Sequence, residues 1–263
     1  MQSFNHPLDP VFSRREMNLQ AGWGQSLRTF LFPVFLILIF RWAFLEPFVI
    51  PSGSMIPTLL IHDHILVFKG RYGLHWPFSQ QWLLRYSKPQ RGDVVVFRYP
   101  PTPDIFYIKR LIGLPGDEIE YYRGQLKING HPSNYVAALD DFLQQEKIET
   151  DDGFKYFLEA IQGHDVGDKA LLDRHPSHLV RYYPQTLLQN EMITFKVPED
   201  SYFFMGDNRD QSNDSRFWGT VKSELILGKA WLIWYSCEET LPQLSYLCDP
   251  SQMRWTRFFK QIR

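Results

Sequence analysis

The alternation of apolar and polar positions divides the chain into unlike parts. Residues 1–25 are polar and carry no strong period, which reads as an N-terminal tail. Phe30–Phe40 (FLFPVFLILIF) is an unbroken apolar run between Arg28 and Arg41. Eleven residues fall short of the roughly twenty that a helix needs to cross a bilayer. Extending from Leu27 to Leu45 supplies nineteen at the cost of two arginines: Arg28 lies near one end and can snorkel to the headgroups, whereas Arg41 sits deeper. A cleavable signal would carry a pair of small residues before its cut, and Arg41–Glu46 has no such pair. A soluble helix would have a polar face. The pattern therefore predicts an uncleaved transmembrane anchor over 26–46. Arg14, Arg15 and Arg28 favour an N-terminus on the inner side.

Beyond the anchor the period shortens to two. Three prolines in Glu46–Leu60 forbid a continuous helix. Strands are predicted at His64–Phe68, Val94–Tyr99, Ile105–Ile112, Met192–Val197, Tyr202–Met205 and Ala230–Tyr235. Glu118–Tyr122 and Gln125–Ile128 read as a hairpin about Arg123-Gly124. Residues 131–190 are more polar and irregular and read as an inserted lobe. The expected fold is mainly β: an N-terminal transmembrane helix, then an antiparallel β-sheet catalytic domain with an inserted smaller β-rich lobe. Its divisions are 1–25 tail, 26–46 anchor, 47–119 and 191–247 catalytic domain, 120–190 lobe and 248–263 C-terminal segment.

Composition narrows the function. With 28 Lys+Arg against 29 Asp+Glu the net charge is −1, so no basic excess points to nucleic acid. The two cysteines, Cys237 and Cys248, lack the paired ligands of a zinc site; two free thiols and one disulfide both remain open. No metal, nucleotide or organic cofactor is implied.

Three segments carry chemistry. In Ile50-Pro-Ser-Gly-Ser-Met55, a stiff approach at Pro51 and a tight path at Gly53 present two hydroxyls, Ser52 and Ser54; alone, this is also an ordinary Ser/Gly turn. In Phe106–Ile112, strand alternation puts Lys109 on one face with Tyr107 and Leu111, and Arg110 on the other. Such a lysine either snorkels at an edge or is desolvated, and desolvation would make it a base near neutral pH. Met205–Arg216 is too dense in Asp, Asn, Ser and Arg for a simple turn. It lacks the central glycine and final glutamate of a calcium loop, and reads instead as a structural knot of carboxylate–guanidinium pairs and side-chain-to-backbone bonds. His62-Asp-His64 lies near Ser54 in sequence, but no Gly-x-Ser-x-Gly elbow accompanies it. Alternation would put both histidines on one strand face, as ordinary polar residues.

Taken in order, Pro51-Ser-Gly-Ser-Met55, Arg91–Phe97, Tyr107–Asp117 and Met205–Arg216 resemble the type I signal peptidases. The resemblance covers about 27–117 and 197–235. It implies a serine endopeptidase that removes signal peptides from exported precursors at the outer face of a bacterial inner membrane. Carried across residue by residue, the nucleophile falls on Ser54 and the general base on Lys109. Ser52 and the Ser54 backbone N–H fall on the oxyanion hole, Ser212 on the hydroxyl that orients the lysine, and Asp214 with Arg216 on a supporting ion pair. The positions matching shallow pockets for small P1 and P3 residues are Phe48, Ile50, Met55, Leu59, Ile65, Val96, Tyr107 and Ile108. Precursor signal peptides and membrane lipids are the implied partners; oligomeric state is left open. Two rivals are a relative restricted to one secretion or conjugation system and a catalytically dead binding module. The presence of Ser52, Ser54, Lys109 and Ser212 together argues against the dead copy.

Overall fold

A computed structural model of the protein describes residues 23–76, 82–146, 148, 150, 153–161, 177–183, 185 and 192–263. Expectations for residues 1–22 and for much of 147–191 lie outside these.

The apolar run forms a helix, Trp23–Phe44, starting three residues earlier than 26 and ending two before 46. Its side chains point outward: Leu27, Phe30, Phe32 and Ile37 are all more than half exposed. Among the described residues no helix is long and apolar enough to cross a membrane. Residues 1–42 and 43–263 form two separate compact units.

The second unit is mainly β and its sheets are antiparallel. The largest has eight strands. Its order runs Leu45–Val49, Asp63–Phe68, Ile226–Ser236, Val94–Arg98, Phe106–Gly113, Ser201–Met205, Val221–Lys222, with Lys260–Gln261 paired to Ile226–Ser236 off this path. Val94–Arg98 has no polar residue before its last position because both of its faces are covered. Val94 and Val96 pack with Ile50, Met55, Leu59 and Ile65 on one face. Val95 and Phe97 pack with Leu111, Tyr202 and Phe204 on the other. A strand buried on both faces loses the apolar–polar alternation of a half-buried one.

Leu45–Val49 is a strand although Pro47 interrupts it; it lies at the sheet edge, where a missing N–H removes no ladder bond. The expected hairpin is present, with Arg123 and Gly124 both at positive φ (49° and 76°), as a tight twisted turn requires. It joins Ile193–Lys196 in a four-stranded sheet, so residues on both sides of position 190 share one sheet. Asn134–Ala137, Lys155–Ala160 and Ser177–Tyr182 form a separate three-stranded sheet. Cys237 and Cys248 are joined in a disulfide, which resolves the open alternative.

Candidate active site

A short 3-10 turn, Gly53–Met55, carries Ser54 between the extended Ser52 and a cis peptide at Ile56–Pro57. The turn is held from outside. Asn208 donates its backbone N–H to the Ser54 carbonyl (3.1 Å) and its side-chain amide to the Gly53 carbonyl (2.9 Å). Gly206 lies against the same turn: a Cβ there would collide with the Ser54 carbonyl oxygen and with Ser212 Oγ. A glycine is needed for that close approach.

Lys109 comes from the strand Phe106–Gly113, and its Nζ lies 2.5 Å from Ser54 Oγ. Both residues are buried, Lys109 at 4% exposure and Ser54 at 8%. Burial disfavours the ammonium and pushes the lysine down to about 8. The charges of Asp214 and Asp207 act in the opposite direction and temper the fall. Of the two sequence readings, snorkelling and desolvation, the geometry matches desolvation. The Tyr107 ring centroid lies 5.4 Å from Nζ, as alternation predicts.

Ser52 is exposed, with its hydroxyl 3.4 Å from Ser54 Oγ. The Ser212 hydroxyl is buried beside Gly206, close to the Asp214 carboxylate. Asp214 caps the short helix Ser215–Trp218, accepts from the Gly206 N–H (2.9 Å) and is gripped twice by Arg216 (2.8 Å each). Burial alone would raise the Asp214 carboxyl; the Arg216 guanidinium more than offsets this and holds it below the usual range.

Seven of the eight expected pocket positions meet in one cluster. Ile50, Met55, Leu59, Ile65 and Val96 are its buried members, with Phe48 and Ile108 packed against it. Tyr107 is not among them. It packs against the cluster on the opposite face of the sheet and stacks on Tyr99 at 4.3 Å. Neighbouring residues of a strand face opposite ways, so Tyr107 and Ile108 diverge.

The histidines depart from expectation. His62 precedes its strand at φ 65°, so it does not share a strand face with His64. It contacts the Glu238 carbonyl (2.8 Å), whereas His64 is buried and stacked on Tyr235 at 3.8 Å. His64, Cys237 and Cys248 bring one nitrogen and two sulfurs together. The disulfide removes the thiolates that a metal would need.

The knot of carboxylate–guanidinium pairs expected in 205–216 is present, but its partners behind the turn come from distant elements that the sequence did not point to. Arg110 grips Asp207 in a two-pronged pair (2.8 and 2.6 Å), and Asp207 also accepts from the Thr58 hydroxyl at 2.5 Å. Arg209, one residue beyond the clamp Asn208, is fully paired to Glu159 of the three-stranded sheet. Tyr135 donates to the same carboxylate, and His178 lies 3.0 Å from it. The density of charge in 205–216 was the available signal; its partners 50 residues or more away were not.

The site thus places a buried amine against a buried hydroxyl, with no histidine touching either among the described residues. The profile of the family described as "Signal peptidase, peptidase S26" matches residues 23–235. A Signal peptidase I of Buchnera aphidicola is 40% identical over 237 residues, 80% of this chain and 74% of that one. A Signal peptidase I of Pseudomonas fluorescens is 40% identical over 249 residues, 89% and 78% of the two chains. A solved signal peptidase I from Enterococcus faecalis covers 54% of this chain and 97% of its own at 30% identity. Its TM-score of 0.30 is too low to bear on the fold. The chain belongs to the signal peptidase family, peptidase S26.

Proposed function

We propose that this enzyme removes N-terminal signal peptides from precursor proteins, with Ser54 as nucleophile and Lys109 as general base. The observation that carries the reading is the 2.5 Å contact between Ser54 Oγ and a lysine that burial pushes down to about 8. The neutral amine takes the Ser54 proton as Oγ attacks the scissile carbonyl carbon. The resulting oxyanion is met by the Ser52 hydroxyl and the Ser54 backbone N–H. The lysine then returns its proton to the departing amine, the mature protein leaves, and an acyl-enzyme remains. Water, deprotonated by the same lysine, releases the signal peptide and restores Ser54.

Ser212, Asp214 and Arg216 serve in this reading to orient the base. Ser212 lies beside the glycine that touches the nucleophile turn, and the Asp214–Arg216 pair fixes the backbone between them. The cluster of Phe48, Ile50, Met55, Leu59, Ile65, Val96 and Ile108 supplies apolar walls for small P1 and P3 residues, and Tyr107 borders the lysine. In this reading the catalytic domain is built on 47–119 and 191–247 with a lobe inserted at 120–190, although the sheet that pairs Glu118–Tyr122 with Ile193–Lys196 straddles both boundaries and Lys260–Gln261 adds a strand to the main sheet.

Trp23–Phe44 is the membrane anchor. Its outward apolar side chains support this, with Arg28 and Arg41 reaching headgroups from a short apolar centre. The enzyme then works at the outer face of the bacterial inner membrane, among lipids and exported precursors.

The test is cleavage of a precursor ending its signal in Ala-x-Ala, by the detergent-solubilised full chain, beside a Ser54→Ala control. Release of the mature protein by the parent alone is expected. Equal cleavage by both would refute the assignment, and alkaline extraction with protease protection tests the anchor and its orientation.

A further inference from the structure

Near the C-terminus, Thr240–Leu241 and Leu244–Cys248 form a two-stranded ribbon that pairs with no other strand among the described residues. Such a ribbon is marginal by itself. Cys237 leads into it from the strand Ile226–Ser236, is fully buried, and closes its mouth through the bond to Cys248. Strand register brings a histidine to the same place. His64, in the neighbouring strand Asp63–Phe68, lies opposite Tyr235 and stacks on it at 3.8 Å. Residues two apart in extended chain share a face, so Tyr235 and Cys237 both point toward His64. One imidazole nitrogen of His64 and the two sulfurs lie within 4.8 Å of one another.

The histidine is not used by its surroundings. His64 is 3% exposed, and its Nε2 has no hydrogen-bond partner among the described residues. An unpaired buried polar atom costs about 1–3 kcal/mol, and stacking on Tyr235 leaves the ring's lone pair idle. His62, two residues earlier, is by contrast bonded to the Glu238 carbonyl (2.8 Å). No carboxylate among the described residues joins the three donors, and the adjacent Asp63 is taken up by Arg257. One imidazole and two thiolates suit a thiophilic ion of the zinc class and not a hard cation. Donors at about 2.0–2.3 Å from a tetrahedral ion lie roughly 3–4 Å apart, so small rotations complete the set once the S–S bond is open.

We propose that the reduced protein binds one zinc-class divalent ion through His64, Cys237 and Cys248, so that disulfide and ion are alternative fastenings of the same ribbon. A dithiol reductant passes two electrons and two protons to Cys237 and Cys248, and itself becomes a disulfide. The ion then displaces the two thiol protons to solvent, while His64 supplies a lone pair without a change of protonation. A disulfide-bearing oxidant reverses the exchange and expels the ion. In the metal-bound form the ribbon is tied to the strand Asp63–Phe68 as well as to its own root. The start of that strand holds the approach to Ser54: the Ile50 N–H donates to the Asp63 carbonyl and the His62 N–H to the Ile50 carbonyl, at 2.9 Å each.

The test uses the detergent-solubilised full chain, reduced with a phosphine under anaerobic conditions and then freed of it. Titrated with Co2+, the reduced parent should gain a thiolate-to-cobalt charge-transfer band and the visible bands of a tetrahedral ion, saturating at one ion per chain. Zn2+ should bleach both, and the oxidised parent should show neither. Cys237→Ser combined with Cys248→Ser should also show neither. His64→Phe keeps a ring against Tyr235; it should shift the visible bands and weaken cobalt binding by at least the roughly tenfold that losing an outer-shell partner costs. Zn2+ should raise the denaturation midpoint of the reduced parent and leave that of the oxidised parent unchanged. A reduced parent without the charge-transfer band overturns the site. Unchanged affinity in His64→Phe overturns it too, since two thiols would then bind without the histidine. A band that persists in the double serine variant, or in the oxidised parent, places the ion elsewhere and has the same consequence. If the double variant fails to fold, the oxidised and reduced parents and His64→Phe still decide the matter.

Discussion

Lys109 and Arg110 are adjacent on one strand, both almost inaccessible to water, and the protein treats their charges in opposite ways. Arg110 is met by two prongs from Asp207, by the carbonyls of Gly92 and Arg263, and by the Thr58 hydroxyl. Lys109 is given a serine hydroxyl and an aromatic ring. Asp214 and Asp207 act on it only at a distance. A guanidinium cannot shed its proton and so must be paired when buried, whereas an ammonium can escape the cost of burial by becoming neutral. One side of the strand therefore holds the turn in place, and the other side carries the proposed base.

The largest effect should follow from removing either half of the Ser54–Lys109 contact. Ser54→Ala and Lys109→Ala are each expected to lower cleavage by a factor on the order of 10^2–10^4 or more, and the double variant hardly further, because the two act as one unit. Lys109→Arg and Lys109→His should be equally inactive, since neither places a neutral primary amine there. Near-normal turnover by any of them, in a precursor assay, would end the proposed mechanism. Variants of His62 or His64 should keep their activity at every pH, which separates this site from a histidine-based one.

Next in size comes the paired side. Asp207→Ala leaves Arg110 charged and buried without its carboxylate, a loss expected to cost about 3–5 kcal/mol of stability. It also frees Thr58, four residues after Ser54, so activity should fall together with the denaturation midpoint. Glu159→Ala strands Arg209 in the same way. If either variant unfolds at the parent's denaturant concentration, the network has been given too much weight.

The unpaired side should respond with the opposite sign. The unfolded chain holds the Lys109 proton up to about 10.5, whereas the folded one gives it up near 8. Below pH 8 folding thus carries the whole cost of that displacement, on the order of 3 kcal/mol, and the cost fades as pH rises from 8 toward 10.5. Lys109→Met should therefore be more stable than the parent at pH 7, by an amount that shrinks toward pH 10. Paired denaturant titrations at the two pH values would show it. Activity of the parent should rise with pH along one limb centred near 8, as the amine loses its proton.

Much of this division was legible in the sequence, because it depends on local rules. Alternation alone sent Lys109 and Arg110 to opposite faces, and Arg123-Gly124 between two strand-like runs marked the hairpin whose turn takes two positive φ angles. The edge strand Leu45–Val49 was hidden, because Pro47 argues against a strand unless the strand lies at an edge. His62 was misassigned because its positive φ stops the strand alternation one residue early. Arg209 with Glu159, and Arg110 with Asp207, join residues 50 and 97 positions apart. No local pattern encodes which acid meets which base at that range; the sheet order decides it.

The smallest expected effect concerns selectivity, and it tests whether the apolar cluster on the Arg110 side also shapes the substrate site. Ile108 is only partly buried, and it packs against a cluster that contains Met55, the residue after Ser54. An apolar wall separates side chains differing by one methylene by only about 1–3 kcal/mol. Exclusion of a branched or aromatic P1 residue is stronger, because a packed wall resists displacement. The parent should therefore accept Ala, Gly and Ser at P1 and reject Leu, Phe and Lys. Ile108→Ala removes wall without touching Ser54 or Lys109, so it should keep turnover on Ala-x-Ala substrates and begin to cut after larger residues. Cleavage sites read by mass spectrometry on precursors varied at P1 and P3 give the answer. If the parent already cuts after Leu or Phe, the cluster does not line the P1 site. If only a Tyr107 variant relaxes P1, the wall lies on the other face of the strand.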